Sequence, residues 1–93
     1  MTMYIGEYSN MGLGGNAQAP VCPKVAKQIV ASGASVPFNA ATRFVRLHSD
    51  AICSFAIGPP GTVATTTDDR MIAGATEYFF VSPGHIVYVV ANT

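Results

Sequence analysis

His48, Asp50 and Cys53 stand within six positions of one another. An imidazole, a carboxylate and a thiol are the parts of a nucleophile–base apparatus, but such an apparatus is recognised by geometry and not by closeness in sequence. Here the spacing works against it. Alternation along Arg43–His48 puts Val45 and Leu47 on the inward face, and Phe44, Arg46 and His48 on the opposite one. After a turn at Ser49-Asp50, Cys53, Phe55 and Ile57 alternate as a second inward set. A catalytic thiol needs a partly exposed, electropositive setting, whereas Cys53 is expected in the core and His48 on the surface. The sequence predicts no catalytic group.

Metal chemistry fares no better. Cys22, Cys53, His48 and His85 match none of the paired spacings that hold zinc. Asp68-Asp69 resembles half of a calcium loop, without the periodic oxygen ligands and closing Glu. Gly12-Leu13-Gly14-Gly15 lacks the Gly-Lys-Ser/Thr ending of a phosphate loop. No metal and no cofactor are expected. What remains is aromatic: Phe44, Tyr78, Phe80 and Tyr88 project from faces that the core set leaves over. Burial against another subunit is the common fate of such a surface; a sugar-stacking platform that uses these rings with Asp68-Asp69 is the alternative.

The elements that must position these residues are short strands. Ser9 to Pro23 is uncharged, is broken by Gly12, Gly14, Gly15 and Pro20, and reads as an extended arm or flexible loop. The expected organisation is therefore residues 1–23 as N-terminal strand and arm, and 24–93 as one β-domain. Val25–Ala31 is a strand candidate with a helix as its rival. Ser35–Phe38 is short and extended, and its proline restricts it to an edge or a connection. Thr62–Thr67 reads as an exposed or edge strand, and Arg70–Ala73 as another.

Glu77–Ala91 reads as a closing β-hairpin about Pro83-Gly84. Its two runs are sticky on both faces, unlike a strand with one face in water. Strands at this spacing, with Gly and Pro between them, predict an all-β fold: a small β-sandwich or jelly-roll-like barrel.

Composition bounds the function. Ninety-three residues make one domain with one small core. Charged residues are only 11% of the chain, against about 25% in an ordinary soluble domain. Much of the surface is thus expected to lie in contacts. Five basic residues balance five acidic ones, which argues against nucleic acid as the main partner. No polybasic amphipathic stretch suits a membrane surface, and no apolar run approaches the ~20 residues that span one. No signal-peptide pattern opens the chain, so synthesis in the cytoplasm is expected. Cys22 and Cys53 are then reduced thiols, both read as small core residues.

Several segments together resemble a family. They are Val36-Pro37-Phe38, Thr42–His48, Cys53–Pro59, Val63-Ala64-Thr65, Met71–Gly74 and Glu77–Gly84. From about Ser35 to the C-terminus the pattern is similar to small β-rich structural proteins of tailed bacteriophages that decorate the head. The arm up to Pro23 falls outside it. The resemblance implies a non-enzymatic cement protein on the capsid surface of the virion, binding the major capsid protein across capsomers. It also implies a homo-oligomer, expected as a trimer. Some similar proteins belong to tails or head-fibre bases, where a glycan- or receptor-binding role is the alternative.

Overall fold

The computed structural model describes residues 1–14, 17–20 and 22–92. The strands are β1 (Met3–Tyr8), β2 (Met11–Gly14), β3 (Ala17–Pro20), β4 (Ala26–Val30), β5 (Gly33–Ala34), β6 (Phe44–Ser49), β7 (Cys53–Gly58), β8 (Asp69–Met71), β9 (Thr76–Phe80) and β10 (Ile86–Ala91). No helix occurs among the described residues. A first sheet runs β4-β1-β6-β9 and a second runs β5-β10-β7-β8. All pairings are antiparallel. The two sheets pack face to face as a small all-β sandwich.

Period-2 alternation explains the core. Met3 and Ile5 of β1, with Val45 and Leu47 of β6, point inward from the first sheet. Cys53, Phe55, Met71, Val87 and Val89 meet them from the second. The rings of Phe55 and Phe79 cross between the sheets edge to face, with centroids 5.4 Å apart. The inward set expected on β6 and β7 is the one observed, with Ile57 partly buried at its end.

Three expectations are corrected. Glu77–Ala91 is not a hairpin: β9 lies at the edge of the first sheet and β10 inside the second. The turn at Pro83-Gly84, where Gly84 takes φ +79°, carries the chain between layers. Glycine tolerates that backbone region and L side chains rarely do. His85 N–H closes the turn on the Ser82 carbonyl.

The division at residue 23 does not separate arm from sandwich. β1 is an interior strand of the first sheet, and β2 and β3 pair as a two-stranded excursion between β1 and its neighbour β4. The side chains of residues 11–18 lie outside the described part. Finally, Thr62–Thr67 is not a strand; it belongs to a loop between β7 and β8.

β10 is apolar on both sides, and little of it is left in water: Val87 and Val89 meet the core, Ile86 is buried, and Tyr88 and Val90 are half-buried. The loop is tied to the end of this strand, since Asn92 donates to the Ser54 hydroxyl (2.7 Å) and the Thr66 carbonyl (3.1 Å).

At one end of the sandwich Glu7 is buried and hydrogen-bonded. Its carboxylate accepts from the Asn39 N–H (2.8 Å), the Thr42 hydroxyl (2.9 Å) and the Gln28 amide (3.2 Å). This ties β1 to β4 and to the segment that enters β6, and it satisfies a buried charge with donors.

Candidate functional site

The outer face of the first sheet carries the candidate site. Cross-strand pairing arranges its outward residues in three rows. The first is Tyr8–Phe44–Phe80, the second Lys27–Gly6–Arg46–Tyr78, and the third Ile29–Tyr4–His48–Thr76. Residues so paired have Cβ atoms about 4.5–5.5 Å apart, so the rows form one continuous surface. It divides into an aromatic half on β6 and β9 and a cationic half on β1 and β4.

In the aromatic half, Phe80 is 78% exposed and Tyr78 49% exposed on the edge strand. Phe44, expected beside them as an exposed interface residue, is instead sealed at 1%. Tyr8 stacks on it at 5.4 Å with a 12° interplanar angle, and Phe80 covers its other side edge-on at 6.2 Å. Tyr88, the fourth expected interface residue, belongs to β10 in the second sheet, half-buried opposite Ala34 and Ala56. Only Tyr78 and Phe80 of the four share an exposed face.

In the cationic half, Gly6 floors a groove of about 770 Å³ lined by Tyr4, Tyr8, Lys24, Lys27, Arg46 and His48, among others. The missing side chain at Gly6 makes room for the Tyr8 ring. A Cβ there would come within 3.2 Å of the Tyr8 ring, which leans across the glycine. Tyr4 lies against His48 with centroids 6.2 Å apart. Three of the five basic residues line this groove and no acidic residue does. Among the described residues, no carboxylate pairs with Lys24, Lys27 or Arg46.

The other side chains singled out in the sequence do not assemble. His48 Nδ1 shares a 2.8 Å hydrogen bond with Thr76 Oγ1 on the outer face. Cys53 is buried in the core, and Asp50 accepts from the Thr2 N–H at 2.6 Å. Cys22, read as a core residue, is exposed; the turn before β4 leaves it outside both sheets. Among the described residues no three His, Cys, Asp or Glu side chains cluster as a metal site.

Arg46 was placed on the outward face with His48, but Tyr4, Gly6, Lys27 and Ile29 were not singled out in advance. For Tyr4 and Gly6 the signal was the alternation in Met3-Tyr4-Ile5-Gly6-Glu7-Tyr8, which sets Met3 and Ile5 on one face and the two tyrosines on the other. The chain matches no family model, no curated protein and no solved structure.

Proposed function

We propose that this protein is a non-enzymatic structural component of a phage virion, a decoration protein that docks on the head through the outer face of its first sheet. The observation behind this reading is the exposed aromatic edge formed by Phe80 and Tyr78. Tyr4 and Ile29 extend it along the same face, also largely in water. Full burial of such side chains contributes about 1.5–3 kcal/mol each, against an association cost of about 4–15 kcal/mol. Four residues thus bring self-assembly to the margin, and a second surface, the major capsid protein, would complete it. The oligomer is expected to be a homotrimer.

The test is occupancy. Mass spectrometry of purified particles should find the chain at high copy, and labelling should place it on the head surface. Its absence from particles would end the proposal.

A glycan- or receptor-binding module of a tail or head fibre is the second reading. A second opening of about 320 Å³ supports it, where Asp69, Ser82 and His85 stand beside Phe79 and Phe80. A ring face next to polar groups is what a sugar requires. Specific hits on a glycan array would favour this reading over the first.

A further inference from the structure

The groove over Gly6 has features that an apolar docking patch does not need. Lys27 and Arg46 pair with Gly6 from either side, so their Cα atoms lie about two strand spacings, or about 9.6 Å, apart, with the Tyr8 ring and hydroxyl lying against the glycine between them. Lys24 adds a third cation. Desolvating three ammonium and guanidinium groups against an apolar partner would be costly. Charge complementarity requires an anion there, one with more than a single negative charge.

Flat rings flank the cations. Tyr4, 45% exposed, and His48 stand on one side of the glycine. Beyond Arg46 in the same row stands Tyr78, with Phe80 in the next. Cations that track a backbone, interleaved with exposed rings across an open sheet, are the physical means of holding single-stranded nucleic acid. A duplex keeps its base faces stacked inside and offers none to these rings. A lone nucleotide would leave much of its surface in water on so open a face, whereas small-ligand sites enclose most of theirs. An acidic peptide would satisfy the cations and leave the rings unused.

We infer that the outer face of the first sheet binds a short single-stranded nucleic acid, with phosphates held along the groove by Lys24, Lys27 and Arg46 beside Tyr8, and bases stacked on Tyr4 and Tyr78. The net neutrality of the chain does not oppose this, because the charge is segregated: three cations share one groove that no acid enters. The inference assigns nucleic acid to the same outer face that the virion reading assigns to docking, so the two occupants exclude each other on one molecule.

The test is fluorescence anisotropy with a labelled fifteen-nucleotide oligothymidylate and the full chain. Three phosphate contacts predict a log–log salt slope of about −2, or roughly a twentyfold loss of affinity between 50 and 200 mM salt. Lys27→Ala and Arg46→Ala should each weaken binding and make the slope shallower by about 0.7. Tyr4→Ala should cost about tenfold with the slope unchanged. Circular dichroism and melting of each variant establish that it remains folded.

No binding at 50 mM salt with 100 μM protein would overturn the inference. So would equal binding of duplex DNA, thymidine monophosphate or polyglutamate, or an affinity insensitive to all three substitutions. Particle occupancy is measured separately, so failure here leaves the virion proposal to its own test.

Discussion

Phe44 and Phe80 face each other across β6 and β9 with ring centroids 6.2 Å apart, yet one is sealed and the other stands in water. The difference is position in the sheet. β6 is interior, so Tyr8 of β1 closes over Phe44 from the far side. β9 is an edge strand, and among the described residues no further strand lies beyond Phe80 to do the same.

Phe80→Asp should therefore leave the fold intact, at a cost of about 0.5–1.5 kcal/mol for the lost edge-to-face contact with Phe44. Phe44→Asp should cost at least the roughly 3–5 kcal/mol of a large-to-small core change, plus the burial of a charge. Urea unfolding of both variants measures this. If Phe80→Asp also unfolds the chain, the outer face is not a free surface. In the virion reading, Phe80→Asp should lower head occupancy while the protein stays folded.

Glu7→Ala removes the acceptor for the Asn39 N–H and the Thr42 hydroxyl. A buried donor left without a partner costs about 1–3 kcal/mol, so the denaturation midpoint should fall clearly. Glu7→Gln keeps one acceptor oxygen and should lose less. Equal stability for wild type and Glu7→Ala would show that the segment entering β6 is held by something else.

The cysteines should separate by reactivity. Cys22 is exposed and Cys53 is fully buried. An aromatic disulfide reagent should label one thiol per chain in the native protein and two after denaturation. Rapid labelling of both in the folded state would contradict the burial of Cys53.

Gly58→Ala probes the loop between β7 and β8. An added Cβ would lie 2.5 Å from Thr62 Oγ1, which already donates to the Pro59 carbonyl at 2.7 Å. Overpacking of this kind costs about 1–3 kcal/mol. Proteolysis between Gly61 and Asp68 should become faster in the variant, because the displaced turn loosens the loop. Unchanged cleavage and unchanged stability would mean that the loop absorbs the methyl freely.

The all-β class was legible in the chain because it depends on local chemistry: β-branched and aromatic runs, glycine and proline between them, and period-2 alternation. The inward faces of β6 and β7 followed from the same alternation, since Val45, Leu47, Cys53 and Phe55 have only two sides to choose from. Alternation assigns a face but not a neighbour. Whether Tyr78–Val81 pairs with Ile86–Val90 depends on contacts with distant strands, and those drew the two runs into different sheets. The outer face of β10 looked unpartnered in the sequence, yet Ile86 is buried and Tyr88 and Val90 are half-buried there, a burial that local alternation does not predict.

The candidate site was half visible. Tyr78 and Phe80 announced themselves as aromatic residues beyond what a small core needs. The groove did not, because it is assembled from β1, β4 and β6, whose contributing residues are tens of positions apart. A balanced count of charges says nothing of where they stand. Only the pairing of Gly6 with Lys27 and Arg46 gathered the cations onto one face, and only the absence of a side chain at Gly6 let the Tyr8 ring lie between them.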